Sequence, residues 1–256
     1  MVWRDTTRSR VNAVDFQVPS DRVLDEKFWL QFGNNPNPSM REKIILVTLD
    51  DVGRVGAATF NVKLVCDALD VSYSLINHHF GSRDELIAEA AVLWYSLYID
   101  ALWKAANNAP SRPDDRLRAW LTENVSWSRR YNGMSAILDY PTASGEVTRV
   151  IDEKYREDFT QLAELNIGRL FSLVLDVRNG EVGLYQLSRG NVQREGLATD
   201  PHIMELTGSI AWSILGMSVW NAGQHLPTTQ IDGVSEMQAR LSNFHIEHLI
   251  EFAKNG

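Results

Sequence analysis

Four hydrogen-bonding side chains lie close together in a segment that buries little. In residues 73–79 the main apolar anchor is Ile76, so the polar side chains are expected to project outward: Tyr73, Ser74, Asn77 and His78. A short helix that presents so many donors and acceptors suits hydrogen bonding to base edges in the major groove of DNA. The chemistry predicted for this segment is therefore recognition of a double-stranded DNA operator.

A neighbouring short helix and a tight turn are predicted to hold this segment in place. Asn61 is a suitable N-cap, and apolar residues follow at helical spacing from Val62 to Leu69. Asp70 is expected to adopt the left-handed backbone conformation that sharply joined helices need, and Ser72 is expected to cap the second helix. Because so short a first helix is marginal alone, it indicates one half of a helix-turn-helix.

Two further helices are expected to flank this pair. Residues 40–55 carry an apolar stripe that ends at Gly56, which predicts a supporting helix. The other helix begins at Ser82, and Glu85 three residues on would complete a capping box. Arg83 lies in its first turn, where the helix dipole disfavours a cation, so a nearby phosphate would explain it.

Together these features resemble the TetR family of transcriptional repressors over residues 41–90. The matching motifs are Gly56, Val65-Cys66, Asp70-Val71-Ser72, His79-Phe80 and Arg83-Asp84-Glu85-Leu86. Three positions depart from the family pattern: Asp70 replaces Gly, Asn77 replaces Tyr, and Arg83 replaces Lys. The resemblance implies an all-α fold, in which a three-helix head with the helix-turn-helix precedes a larger helical body for ligand binding and dimerisation. It also implies a repressor that an unknown small-molecule effector releases from its operator.

The resemblance assigns roles to individual residues of the head. It implies phosphate contacts for Asn61, Ser72, Asn77, His79 and Arg83. It implies base-edge contacts for Tyr73, Ser74 and His78, with Lys63 at the rim of the site. Short helix pairs also occur in helical proteins that do not bind DNA, so the joined motifs carry this prediction and the periodicity alone does not.

The charge of the chain constrains how it could bind DNA. The formal net charge is −8, and residues 39–90 hold five basic and eight acidic side chains, a balance of −3. Because phosphate neutralisation supplies much of the affinity for DNA, we expect weak non-specific binding and specific binding that is sensitive to salt. The resemblance implies that Asp50, Asp51 and Glu89 lie on helices that face away from DNA.

The rest of the chain is helical in pattern almost to its end. We expect an arm at 1–38 with a small helix at 20–32 capped by Ser20, then the head at 39–90 and the body at 91–256. Body helices are predicted at 82–106, 117–131, 152–175, 201–222 and 235–254, with a surface loop at 176–200. Aromatic side chains on these helices are candidates to line an apolar effector cavity, with ordinary core packing left open for each: Trp94, Tyr98, Trp120, Trp127, Tyr131, Phe159 and Phe171.

The last two helices are too apolar for both to face solvent. We expect them to pack on a second copy in a two-fold homodimer, which would set two recognition helices about 34–36 Å apart. His245, His248 and Glu251 share a helical face, but we favour an exposed or interface face over a metal site, and no cofactor is predicted. The single Cys66, with no leader and no membrane-length apolar run, predicts a cytoplasmic protein without membrane contact.

Two other functions stay open at this point. The first is a helical enzyme whose head does not recognise DNA, which the acidic head and Asn77 favour. Against it, the sequence offers no arrangement of a nucleophile with a base and no phosphate-binding glycine loop. A protein-interaction module without DNA would keep the dimer, and Tyr73 and Arg83 would be dispensable.

Overall fold

The computed structural model describes residues 22–139, 145–183, 200–222 and 234–256, and these residues form eleven α-helices and no strand. In chain order the helices are α1 (Glu26–Leu30), α2 (Met40–Val55), α3 (Val62–Leu69), α4 (Tyr73–Phe80), α5 (Arg83–Asn108), α6 (Pro113–Arg130), α7 (Asn132–Asp139), α8 (Gly145–Lys154), α9 (Arg156–Asn179), α10 (Pro201–Ala222) and α11 (Val234–Asn255). The all-α prediction is confirmed.

The predicted supporting helix is α2, and its ends follow from local chemistry. Ser39 and Glu42 form a reciprocal capping box at its start, which satisfies two backbone N–H groups that have no partner inside the helix. The helix ends at Val55 because Gly56 has a φ of 78°, a conformation that favours glycine. Both boundaries match the sequence prediction of 40–55.

The arm helix is shorter than predicted. Helix α1 begins only at Glu26, because the Asp25 carboxylate accepts a hydrogen bond from the backbone N–H of Phe28 at 2.9 Å. Ser20, the predicted cap, lies outside the described residues. Phe28 and Trp29 are buried against the core, so this segment is a packed element of the fold.

Two helices between α6 and α9 were missed in the sequence. The predicted helices at 117–131 and 152–175 leave the intervening residues unassigned, whereas α7 and α8 occupy most of them. Helix α9 also continues to Asn179, where Gly180 takes a left-handed conformation with φ 74°. The loop prediction was therefore wrong for 176–179, and residues 184–199 lie outside the described part of the chain.

The described helices bury two hydrophobic clusters. The first joins residues of α1–α5 to α7 and α8, and the second joins α5 and α6 to α9, α10 and α11. Helix α5 contributes to both, with Leu86 and Ile87 in the first cluster and Ile99 and Leu102 in the second. Among the described helices, α5 alone is long and apolar enough to cross a membrane, and core helices pass the same test of length and composition.

A glycine contact brings α7 directly against α2. A Cβ atom added to Gly133 would lie 2.0 Å from the backbone oxygen of Val52 and 2.8 Å from the Cα of Gly56. Beside it, a Cβ on Gly53 would lie 2.8 Å from the ring of Tyr131. Only residues without side chains allow the two backbones to approach this closely, so the contact fixes α2 against the segment that begins α7.

Candidate nucleic-acid interface

Helices α3 and α4 form the predicted helix-turn-helix. The Asn61 side chain accepts a hydrogen bond from the backbone N–H of Lys63 at 3.0 Å and so caps α3. Asp70 takes the left-handed conformation with φ 53° and ψ 48°, and its N–H and that of Val71 both donate to the carbonyl of Cys66. The turn therefore has the geometry that the sequence predicted.

Helix α4 is anchored on one side and free on the other. Ser72 caps it by accepting a hydrogen bond from the N–H of Leu75 at 3.3 Å, while Ile76 and Phe80 are buried in the first cluster. The polar positions lie on the opposite face, and four of them are exposed: Tyr73, Ser74, Asn77 and His78. Tyr73 is 59% exposed, although it is a large aromatic residue.

Four further residues with implied roles in DNA binding lie on α3 and α4 or cap them. Asn61, Lys63 and Ser72 are exposed, and His79 is half-buried. The hydroxyl groups of Ser72 and Ser74 lie 2.9 Å apart and hydrogen-bond to each other. The described face thus offers hydroxyl, amide and imidazole groups, and Lys63 adds a cation at its edge.

Three acidic side chains of the head are paired with arginine residues. Arg22 from the arm binds both Asp50 at 2.8 Å and Asp51 at 2.6 Å, and burial raises the pKa of Asp51 above its ordinary value. Glu89 pairs with Arg41 at 2.7 Å. These contacts neutralise three of the negative charges, and the implied orientation of these residues away from DNA stays a prediction.

Two exposed carboxylates belong to the helix-turn-helix itself. Asp67 lies on α3, and Asp70 forms the turn, where its left-handed backbone explains the choice of residue. Helix α4 itself carries no acidic residue. The electrostatic objection to DNA binding is therefore reduced to one residue without a structural explanation, Asp67.

Arg83 has partners within the protein. Its guanidinium donates to the backbone carbonyls of Ala57 and Phe60 and binds the carboxylate of Asp84 at 2.7 Å. The cation also lies 5.7 Å from the centre of the Phe60 ring. The carbonyls that precede α3 already bind Arg83, so a phosphate is not needed to explain a cation in the first turn of α5. The contact of Arg83 with DNA stays a prediction.

The predicted capping box at α5 is replaced by a different arrangement. Ser82 accepts a hydrogen bond from the N–H of Glu85 at 3.1 Å, as expected. The Glu85 carboxylate, however, binds Lys154 of α8 at 2.8 Å. The sequence pattern could not reveal this partner because it comes from a distant part of the chain.

A cavity of about 280 Å³ opens between α5, α6, α7, α9 and α10. Four of the predicted aromatic residues line it: Trp94, Tyr98, Trp120 and Phe159. The wall also includes residues that the sequence analysis did not select: Tyr95, Asn124, Ser128, Ser135 and Asn166. Asn124 and Ser128 follow Trp120 by four and eight positions on α6, and this helical spacing was the available signal for those two residues.

Three predicted aromatic residues are not part of the cavity wall. Trp127 packs behind it, with its ring 6.2 Å from those of Trp94 and Tyr98. Tyr131 continues this row at 5.0 Å from Trp127 and packs on Gly53. Phe171 is buried in the second cluster. These three side chains are core residues, which was the alternative left open for each.

The described part of α10 and α11 exposes large apolar side chains. They are Met204, Trp212, Leu215, Met237, Leu241, Phe244 and Phe252. Trp212 is 80% exposed and Phe244 is 75% exposed. Such a concentration on one pair of helices is unusual for a surface in contact with water alone.

The histidines of α11 show no metal-binding geometry. In the described ranges no group of three His, Cys, Asp or Glu side chains could hold a metal ion, and this includes the positions of His245 and His248. Burial lowers the pKa of His245, and the nearby His248 lowers it further.

Comparisons with known proteins give one solved structure. No protein-family model and no curated protein matches the sequence. A crystal structure of a provisionally assigned transcriptional regulator from Pseudomonas aeruginosa PAO1 is 20% identical, covers 82% of this chain and 88% of its own, and superposes with a TM-score of 0.45.

Proposed function

We propose that this protein is a DNA-binding transcriptional regulator of the TetR type, a repressor that a small molecule releases from its operator. The observation that supports it most is the geometry of α4, which is anchored by Ile76 and Phe80 and exposes Tyr73, Ser74 and His78. Outward hydrogen-bonding groups on a firmly held helix are what base recognition in a major groove requires. In this proposal residues 39–90 act as the head and 91–256 as the body.

The proposed dimer would present two copies of α4. The apolar side chains that α10 and α11 expose, led by Trp212 and Phe244, suit a two-fold contact with a second copy of the chain. Two recognition helices about 34–36 Å apart would then enter successive major grooves on one side of the duplex.

Helix α5 provides the proposed route from effector to DNA. Its N-terminal turn is tied through Arg83 to the carbonyls before α3, and Trp94, Tyr95 and Tyr98 farther along line the cavity. A ligand that favours one tilt of this helix would shift the population between two spacings of the heads. DNA is released if the spacing of the heads that the ligand favours no longer matches the distance between successive major grooves.

The first test measures DNA preference. Purified protein is expected to bind duplex from its own upstream region more tightly than random duplex of equal length, with affinity that falls steeply as salt increases. Fluorescence anisotropy over a salt series measures both quantities. Equal affinity for the two duplexes at moderate salt would contradict the proposal.

The second test concerns the dimer. The variant Trp212→Glu/Phe244→Glu is expected to shift the protein from twice the chain mass to the chain mass in light scattering, because an interface would bury unpaired carboxylates. Val23→Glu is the matched control, since Val23 is 70% exposed and lies far from these helices in the sequence. A wild-type protein that is monomeric at micromolar concentration would refute the dimer.

A further inference from the structure

The cavity beside α5 has a definite chemical character. None of the described side chains in its wall is Asp, Glu, Lys, Arg or His. A charged ligand would lose its hydration there without gaining an opposite charge, and burial of an unpaired charge is strongly unfavourable. The wall therefore selects against ions.

Aromatic rings form a stacked layer on one side of this cavity. The rings of Trp94 and Tyr98 lie 5.1 Å apart with an interplanar angle of 7°, and those of Tyr95 and Phe159 lie 5.0 Å apart at 26°. Aromatic faces gain additional free energy from offset stacking with another ring. A volume of about 280 Å³ equals the space of about nine water molecules, which suits a compound with one or two rings.

Three polar atoms of the wall residues are buried without a hydrogen-bond partner. They are Nε1 of Trp94, Nε1 of Trp120 and Oδ1 of Asn166. Trp94 is 3% exposed and Trp120 is 2% exposed, so water from outside does not satisfy their indole groups. By contrast, Asn124 already donates to the hydroxyl of Tyr98 at 2.5 Å. These three atoms have almost no accessible surface, so a ligand in the cavity does not reach them, and the uncharged wall and the aromatic rings decide its class.

We infer that the cavity binds an uncharged, planar aromatic compound. This inference rests on the proposed function in so far as the cavity is taken to be the effector site. The ligand class itself follows from the wall alone.

A matched set of small probes tests the ligand class by calorimetry without DNA. Methyl 4-hydroxybenzoate has the ring, the oxygen acceptor and the hydroxyl donor. The 4-hydroxybenzoate anion differs by its charge, and 4-ethyltoluene has the ring without polar groups. The ester is expected to bind saturably, with the anion at least about tenfold weaker because its charge loses hydration. Binding of the anion as tight as that of the ester, or no ester binding at millimolar concentration, would overturn the inference.

Variants locate the binding in this cavity. Phe159→Ala removes a ring of the stacked layer that lines the cavity, so it is expected to weaken binding of both the ester and 4-ethyltoluene about fivefold. Trp103→Phe is the control, because Trp103 lines a different cavity beside Arg116. Equal ester affinity in the wild type and Phe159→Ala would overturn the assignment, provided that circular dichroism shows both to be folded.

Failure of this inference is distinguishable from failure of the proposed function. Ester binding in a protein that shows no DNA preference would support the ligand class and refute the regulator. A DNA preference in a protein that binds only the anion would support the regulator and refute the ligand class.

Discussion

Replacement of Tyr73 and His78 together by alanine is expected to reduce affinity for the specific DNA site at least about a hundredfold. Good contacts to base edges contribute about 1–3 kcal/mol each to discrimination, and a two-fold dimer loses each contact twice. Both side chains are exposed, so their truncation removes little buried surface and the melting temperature should change little. Anisotropy with the upstream duplex and with random duplex measures the loss, which should fall mainly on the specific duplex.

Asp67→Asn is the matched control for this variant. Asp67 is exposed in the same helix pair but lies on α3, and removal of its negative charge should leave specific binding equal or slightly tighter. If the alanine variant still prefers the upstream duplex as strongly as the wild type, α4 is not the recognition helix and a protein-interaction role gains support.

Among the described glycines, Gly133 is the position where replacement by alanine is expected to reduce the stability of the protein most. The new Cβ would meet the backbone of Val52 and Gly56, which cannot rotate away as the end of a side chain could. Overpacking of a well-packed interior costs about 1–3 kcal/mol, and this contact belongs at the upper end. For a chain of this size that corresponds to a decrease of about 5–10 °C in melting temperature, measurable by calorimetry.

Gly145→Ala provides the comparison for this substitution. A Cβ on Gly145 meets nothing within 4 Å, so alanine should leave stability unchanged or raise it slightly through its better helix propensity. Equal melting temperatures for the two variants would show that α7 does not approach α2 as closely as described.

The helix-turn-helix was predictable because its determinants are local. Asn61 and Ser72 cap the helices that directly follow them, and the left-handed conformation of Asp70 needs only its own backbone. Each residue acts on a neighbour within three or four positions, which is the distance over which a sequence pattern is informative. The boundaries of α2 and α3 were therefore predicted correctly.

The partners that come from distant parts of the chain were not predictable. The carbonyls that bind Arg83 and the Lys154 that draws Glu85 away from its capping box are set by tertiary packing. Periodicity likewise predicted that Tyr131 would face inward, but it could not distinguish the cavity from the surface of α2. The short helices α7 and α8 lack the long apolar stripe that made the other body helices recognisable.

The two hydrophobic clusters determine which helices would move together with the helix-turn-helix. The first cluster ties the helix-turn-helix to α7 and α8 without interruption, whereas residues of both clusters, such as Trp94 and Trp120, line the cavity. A ligand in the cavity would lie between the first and the second hydrophobic cluster. If a bound ligand rotates the first cluster, α7 and α8 are expected to move together with α4, because they belong to the same packed body.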